Sequence, residues 1–313
     1  MKGKLIMTVE EAQDRKAWEE LRNKGIGGSD AAVIVGKNPW KSPYTLWAEK
    51  TGKIELEDLS NNEFVEAGNR LEQTVAEWFC DKTGKKVRRC GTLADEEVPY
   101  LMANVDRLII GENAGLECKT ANAFKGKDWE GDEVPAAYIL QCQWYMMITG
   151  AEKWYIACLI GGNHFVWKEV PRNDDDIKAL REAAISFWVN NVEANMPPDT
   201  DGTESTSDTL SKQYGQGIYD AMALPSSAAD WIARLDNLNR MEKMIAEQKT
   251  EATNALKAML GDYERGSYDD RIVSWVNVKA RVSIDTKRLQ AELPQVFEQY
   301  KKVGKPTRMF KVK

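Results

Sequence analysis

Residues 104–120 read NVDRLIIGENAGLECKT and place charged side chains within an otherwise apolar pair of chain segments. The apolar runs Tyr100–Ile110 and Gly115–Thr120 are each typical of a strand. Between them, Gly111–Ala114 has the composition of a turn. The sequence therefore predicts two strands joined by a short connection, with acidic and basic groups where a core strand normally carries none. Such a local inconsistency is expected at functional sites.

Three ionisable side chains of this hairpin form a candidate metal site. Glu117 and Lys119 are two positions apart, so they project from the same face of their strand. The hairpin can bring Asp106 beside Glu117, and neighbouring carboxylates repel each other unless a cation such as Mg²⁺ lies between them. Lys119 would then position an attacking water and stabilise charge on a phosphate. The alternative is a solvent-facing strand edge with a weak Glu–Lys pair.

The composition narrows the possible chemistry. The chain has 313 residues, of which 42% are hydrophobic and 29% are charged, as in a globular protein. No apolar run approaches the roughly 20 residues that span a bilayer, and the start lacks the pattern of a signal peptide, so a cytosolic location is expected. The five cysteines never form a CxxC pair, which argues against a disulfide framework or a zinc ribbon. Since His164 is the single histidine, any chemistry must use carboxylates, lysine and water.

The charge is unevenly distributed. The net charge is −6, but residues 279–313 contain ten Lys or Arg residues against three acidic residues. A local basic surface can coexist with an acidic whole. This segment could hold a phosphate backbone or a partner, or it could simply be a solvated face.

The order of predicted elements favours an α/β fold, with a central mixed sheet flanked by helices in residues 1–198. The apolar spacing predicts helices at Glu66–Lys82, Pro135–Thr149 and Asp174–Asn195, and a hairpin of Lys153–Ile160 with His164–Val170.

The remaining third is predicted to be a separate part of the chain. Residues 199–227 form the predicted linker, and residues 228–313 form a helical arm followed by a basic α+β extension. Within Ala228–Leu260, apolar residues recur near heptad spacing, but Glu242 and Lys249 interrupt them. This pattern favours a packed helical arm over an autonomous coiled coil.

Several motifs, in this order along the chain, resemble the YqaJ-like and lambda-type phage recombination exonucleases of the PD-(D/E)xK nuclease superfamily. Asp106, Glu117 and Lys119 are similar to the superfamily signature, with Val105 in place of its usual proline. The other matching motifs are Trp18-x-x-x-Arg22 with Gly25–Ala32, Asn38-Pro39-Trp40 with Ser42-Pro43-Tyr44, Gly68-Asn69-x-x-Glu72, and Gln141-x-x-x-Tyr145.

This resemblance implies a role for each matching residue. Metal ligands would be Asp106, Glu117, the main-chain carbonyl of Cys118 and, directly or through water, Glu72; Lys119 would be the catalytic lysine. The terminal 5′-phosphate and the substrate strand would be held by Arg22, Ser29, Gln141 and Tyr145. Without the resemblance, Ser29 is equally well explained as a helix N-cap and Arg22 as a solvated helix charge.

The resemblance also implies a restriction-endonuclease-like core and a reaction. That reaction is Mg²⁺-dependent hydrolysis of linear double-stranded DNA from the 5′ end, with two metal ions, Mn²⁺ as a substitute, and 3′ single-stranded overhangs as products. Implied partners are DNA ends, a single-strand annealing recombinase and further copies of the chain in a ring, in the host bacterial cytoplasm if the protein is phage-encoded. Alternatives are an endonuclease on the same core and a non-catalytic DNA-binding scaffold assembled through Ala228–Leu260.

Overall fold

The computed structural model describes residues 2–56, 61–304 and 308–312. The chain forms two compact units, Met1–Gly215 and Gln216–Lys313. Lys305 and Lys313, which belong to the basic segment near the end of the chain, lie outside the described residues. In the part that the structure describes, no helix combines the length and apolarity required to cross a membrane.

The first unit contains helices on both sides of a sheet, as the sequence predicts. Its helices are α1 (Arg15–Asn23), α2 (Gly28–Ile34), α3 (Pro43–Lys50), α4 (Glu63–Thr83), α5 (Ala136–Thr149), α6 (Asp174–Phe187) and α7 (Glu204–Gln213). Its strands are β1 (Lys4–Met7), β2 (Val87–Arg88), β3 (Thr92–Ala94), β4 (Met102–Asn104), β5 (Arg107–Ile109), β6 (Ala114–Ala121), β7 (Lys153–Ile160) and β8 (His164–Pro171).

The central sheet is mixed and has the strand order β2-β5-β6-β7-β8. Strands β6 and β7 are parallel, with Glu117 beside Ile156, and the other neighbours are antiparallel. Helix α5, which follows β6 and precedes β7, is apolar on nearly every side and is buried from Gln141 to Thr149. A helix of this kind belongs in the core.

Two apolar clusters flank the central sheet. On one face, Val75 and Phe79 of α4 pack against Leu116 of β6. On the other face, residues of α5 such as Trp144 pack against Ile156 of β7. Consecutive residues of β6 therefore point to opposite helical layers, which fixes the side of the sheet that each functional side chain occupies.

The predicted strand Tyr100–Ile110 is wrong in one respect, because it is two strands in two sheets. Its first part, β4, belongs to a three-stranded sheet of order β1-β3-β4, and its second part, β5, belongs to the central sheet. The chain leaves the smaller sheet at Val105–Asp106. The break releases Asp106 from regular strand pairing and leaves its carboxylate free to bond elsewhere.

The predicted linker, residues 199–227, contains helix α7 and so differs from a structureless connection. Thr206 and Thr209 of α7 are buried. Thr206 Oγ1 lies 2.8 Å from Ser42 Oγ, and Thr209 Oγ1 lies 2.8 Å from Thr45 Oγ1. The Ser/Thr-rich composition, which is typical of a loop, is explained by these hydrogen bonds between hydroxyl groups.

The second unit contains α8 (Ala228–Leu260), β9 (Arg265–Tyr268), β10 (Arg271–Ser274), α9 (Thr286–Glu292) and α10 (Pro294–Tyr300). Strands β9 and β10 form a two-stranded antiparallel hairpin. The bounds of α8 are as predicted, and the helix packs little within the second unit. Leu260 is the buried residue of α8 in the described structure. A hairpin and two short helices offer too little apolar surface to cover a helix of about 50 Å.

Candidate active site

The three residues of the predicted site lie close together: Glu117 and Lys119 contact Gln141 of α5, and Asp106 bonds to the backbone of β6. Arg107 pairs with Leu116 across β5 and β6, so Asp106 reaches the level of Glu117. The Asp106 Oδ2 atom accepts a hydrogen bond of 2.8 Å from the backbone N–H of Cys118. The carboxylate therefore satisfies a strand N–H where the neighbouring strand has turned away.

Asp106 is held in an unfavourable environment for a negative charge. Burial raises the pKa of its carboxyl well above the usual value, and the charges of Glu117 and Glu72 raise it further. Lys119 and the Cys118 N–H act in the opposite direction but do not outweigh these effects. Carboxylates buried close to one another in this way favour binding of a cation.

Glu117 is buried, with its two carboxylate oxygens in different states. Its Oε1 atom accepts a hydrogen bond of 2.8 Å from Gln141 Nε2 and lies 2.5 Å from Lys119 Nζ. Its Oε2 atom is buried and has no hydrogen-bond partner among the described residues. An unsatisfied buried carboxylate oxygen is costly, so this atom indicates a missing cationic or hydrogen-bonding partner.

Lys119 is surrounded by groups that hold its ammonium charge. Its Nζ atom donates a hydrogen bond of 3.1 Å to Gln141 Oε1 and lies 4.8 Å from the ring centroid of Tyr138. Burial alone would lower the pKa of Lys119, but Glu117 and Asp106 raise it above its ordinary value. This lysine therefore supplies positive charge beside both carboxylates.

Gln141 and Tyr145 of α5 connect this cluster to α2. Gln141 Nε2 lies 2.7 Å from the hydroxyl oxygen of Tyr145. A Cβ atom at Gly28 would lie 2.6 Å from Tyr145 Cε1, so only glycine allows α2 to approach this closely. The structure thus places Gln141 and Tyr145 beside Glu117 and Lys119, whereas their predicted contact with the substrate strand stays a prediction.

Glu72 is near the cluster but faces a different partner. Its Oε1 atom accepts a hydrogen bond of 2.5 Å from Arg107 Nη1, and Arg107 Nη2 donates to Gln73 Oε1 at 2.9 Å. Glu72 and Asp106 line the same cleft, which has a volume of about 230 Å³. Glu72 therefore lies within electrostatic reach of Asp106 while its carboxylate is engaged by Arg107.

The candidate phosphate-binding residues lie at the start of α2. The exposed Arg22 donates a hydrogen bond of 3.1 Å from Nη2 to Ser29 Oγ. The buried Asp30 accepts from the N–H of Gly27 at 3.0 Å and lies 3.3 Å from Lys50 Nζ. Ser29 is not the N-cap of α2, because Gly27 occupies that position.

The described residues contain no ready-made group of three His, Cys, Asp or Glu side chains that could hold a metal ion. Glu72 is turned to Arg107, and Asp106 to the Cys118 N–H. The donor chemistry fits a hard divalent cation, because the side chains of Asp106, Glu117 and Glu72 all offer carboxylate oxygens. The unpartnered Oε2 atom of Glu117 supports this fit.

Two residues at this site were missed by sequence reasoning. Arg107, which holds Glu72, is a charged residue inside an apolar run and follows Asp106 directly, which is a signal that could have been used. Tyr138, whose ring lies beside Lys119, precedes Gln141 by three positions and therefore shares its helix face.

The comparisons with known proteins agree with the resemblance drawn from the motifs. The model of the YqaJ-like viral recombinase domain matches residues 17–152. The protein YqaJ of Bacillus subtilis (strain 168) is 39% identical over 303 residues, which cover 95% of this chain and 94% of YqaJ.

The fold is similar to that of a solved alkaline exonuclease, LHK-Exo from Laribacter hongkongensis. The TM-score is 0.50 at 19% identity, and the match covers 58% of this chain and 94% of that chain. A second structure, LHK-Exo in complex with dAMP, gives a TM-score of 0.51 at 21% identity with the same coverage. This likeness concerns the fold alone. The 39% identity to YqaJ over nearly the full length of both chains, together with the matching domain, shows that this chain belongs to the YqaJ-like viral recombinase family.

Proposed function

We propose that this protein is a Mg²⁺-dependent exonuclease that degrades linear double-stranded DNA from the 5′ end and leaves 3′ single-stranded overhangs. The observation that carries the proposal is the convergence of Asp106, Glu117 and Lys119, in which Glu117 Oε2 is buried and unpartnered. Membership of the YqaJ-like family and the solved alkaline exonuclease of the same fold support it.

The metal would be held by carboxylate and carbonyl oxygens of this cluster. The ligands would be Asp106, Glu117, the main-chain carbonyl of Cys118 and Glu72. Mg²⁺, or Mn²⁺ in its place, supplies a Lewis acid that makes water a better nucleophile and offsets charge on a phosphate. We propose two ions, because the charges of both Glu117 and Glu72 act on Asp106.

Lys119 is the proposed catalytic lysine. It lies 2.5 Å from Glu117 Oε1 and is oriented by Gln141, whose own amide is bonded to Glu117. This arrangement lets the ammonium group position a water molecule and stabilise negative charge that develops on the phosphate. Gln141 and Tyr145 are further proposed to contact the substrate strand near the metal site.

The proposed 5′-phosphate site consists of Arg22 and Ser29. Both are exposed, and they are in direct contact. The guanidinium group supplies charged donors, the hydroxyl supplies a neutral donor, and the backbone amides at the start of α2 lie next to them. Recognition of a terminal phosphate would explain an attack from the 5′ end.

The proposed biological role is recombination by single-strand annealing. In this role the enzyme works on duplex DNA ends, pairs with an annealing recombinase and assembles into a ring of identical subunits. It would act in the cytoplasm, which is that of a bacterial host if a phage encodes the protein.

The direct test is nucleotide release from end-labelled linear duplex during a titration with Mg²⁺. We expect Lys119→Ala to lower the rate by about 100-fold or more without unfolding the protein, because a charged transition-state donor is lost. Lys178→Ala, which removes an exposed lysine of α6, is the matched control and should behave like the wild type.

Two results would contradict the proposal. Degradation of covalently closed circular duplex at a similar rate would identify an endonuclease on the same core. If no duplex released nucleotides in the presence of metal, the remaining alternative would be a non-catalytic DNA-binding scaffold.

A further inference from the structure

Helix α8 carries an apolar stripe along most of its length that the second unit leaves uncovered. Trp231 is 63% exposed, Leu238 51%, Ile245 52% and Met259 81%. These residues recur every seven positions, with Ala252 completing the series. Monomeric proteins rarely expose an apolar surface of this extent unless it binds a partner.

Two charged residues, Glu242 and Lys249, lie in the same stripe as its apolar residues. They occupy the positions that Leu235 and Leu256 occupy one heptad before and after them. Neither side chain forms an ion pair within the described residues, although each lies on a face that is otherwise suited to packing against another helix. A charged residue at such a position lowers stability unless the partner helix supplies an opposite charge.

The spacing of these charges selects a partner and a direction. Glu242 and Lys249 are placed nearly symmetrically about Ile245 and Ala246, at the middle of the stripe. In an antiparallel pair of identical helices, Glu242 of each copy approaches Lys249 of the other, so both charges are neutralised. In a parallel pair in register, Glu242 faces Glu242 and Lys249 faces Lys249, which is unfavourable.

The neighbouring positions do not oppose this arrangement. Asn239, Ala246 and Thr253 flank the stripe on one side, and Met241 and Gln248 flank it on the other. None of these side chains is charged; Arg234, one heptad before Met241, is charged, but it lies near the end of the stripe, over the Trp231 ring. The two charged residues within the stripe therefore dominate the choice of direction near its middle. A two-fold axis through the middle of α8 makes the contact self-complementary.

We propose that α8 is a dimerisation helix that pairs with α8 of a second copy of this chain in an antiparallel coiled coil. The contact joins two copies through their second units and is independent of the nuclease activity proposed above. Its core is formed by the stripe from Trp231 to Met259, with two Glu242–Lys249 ion pairs across the two-fold axis.

Charge reversal in the full-length protein tests the pairing. In sedimentation velocity experiments, Glu242→Lys and Lys249→Glu should each weaken the association through α8 by about tenfold or more, because like charges then meet in a desolvated interface. The loss is measured on species larger than the ring proposed above or, where no ring forms, on the dimer. The double variant Glu242→Lys/Lys249→Glu should restore association, since the opposite charges are merely exchanged. Glu247→Lys, which makes the same charge change on the opposite face of α8, should have no effect.

Disulfide trapping tests the direction. Ala246→Cys lies near the proposed axis and should cross-link to itself, while Met259→Cys should not, because the two copies of that residue lie roughly 40 Å apart. The native cysteines all lie between residues 80 and 158, and the wild-type protein measures their background.

Each other outcome overturns the proposal. A monomeric wild type or single variants that associate normally would show that α8 does not pair with itself. Failure of the double variant to recover, or efficient self-cross-linking of Met259→Cys, would exclude the antiparallel direction.

Discussion

Arg22 and Ser29 are single residues on which the polarity of the proposed reaction depends. Because Arg22 Nη2 already donates to Ser29 Oγ, a terminal phosphate can bridge the two side chains without a large rearrangement. We expect the wild type to degrade a 5′-phosphorylated duplex about tenfold or more faster than a 5′-hydroxyl duplex. The charged phosphate accepts a charge-assisted hydrogen bond from Arg22, which an uncharged hydroxyl group cannot replace. Arg22→Ala and Ser29→Ala should reduce this ratio, measured as initial rates on the two substrates.

Lys24→Ala, which removes an exposed positive charge two residues from Arg22, should leave the ratio unchanged. Equal wild-type rates on the two substrates would refute the assignment of Arg22 and Ser29.

The predictability of the site differs from one residue to another. The two-residue spacing was sufficient to predict that Glu117 and Lys119 share a face, because strand geometry is local. The contact of Glu72 with Arg107 could not be predicted, because it depends on the approach of α4 to the sheet and on the rotamers of both side chains. The placement of Gln141 beside Glu117 also depends on a contact between two separate elements.

At the scale of elements, α2 and α3 are joined by a buried ion pair between Asp30 and Lys50. Both side chains are 4% exposed, and Lys50 Nζ also donates to the carbonyl oxygen of Arg22 at 2.7 Å. Asp30→Asn should lower the free energy of unfolding by about 3–5 kcal/mol, because it leaves the Lys50 charge buried without its partner. Glu19→Gln, in the exposed pair with Arg15, should change it by less than about 0.5 kcal/mol.

The contribution of the Asp30–Lys50 pair to the free energy of unfolding decreases in acid. Burial alone would raise the pKa of Asp30, but Lys50, Arg22 and the Gly27 N–H hold it below the ordinary value. The stabilisation is therefore fully present above the unfolded pKa of about 3.9 and is lost as the pH falls through the lower, folded pKa. Urea unfolding of wild type and Asp30→Asn should differ most near neutral pH and converge in acid; a constant difference would contradict the assignment.

Helices were easier to predict than strand boundaries. The apolar spacing of residues 66–82 and 136–149 extends over several turns, so α4 and α5 were recognised from the sequence alone. Within the run Tyr100–Ile110 the polar residues Asn104, Asp106 and Arg107 lie close together, but strand spacing alone does not show whether they mark a break between two sheets or functional positions within one strand. That passage is determined by pairing with β3 and β6, which lie elsewhere in the sequence.

At the scale of the whole molecule, the sequence predicted a core followed by a separate extension, but composition placed the boundary in a region that contains α7. Composition could not predict this helix, because the hydroxyl groups of Thr206 and Thr209 form hydrogen bonds with Ser42 and Thr45, which are distant in the sequence. Leu210 also packs against the main apolar cluster. We propose that the nuclease unit extends beyond residue 198 to Gly215.

Two truncated chains distinguish these boundaries. A chain ending at residue 215 should keep the melting temperature of the first unit, whereas a chain ending at residue 198 should melt about 5–10 °C lower, because hydrogen-bonded hydroxyl groups and the Leu210 contact are lost together. Within the longer chain, Thr206→Val should reproduce part of the loss by removing the buried hydroxyl group that donates to Ser42 Oγ, and Ser207→Ala, on the exposed side of α7, should not. Equal melting temperatures for the two truncated chains would show that α7 adds nothing to the core and would return the boundary to residue 198.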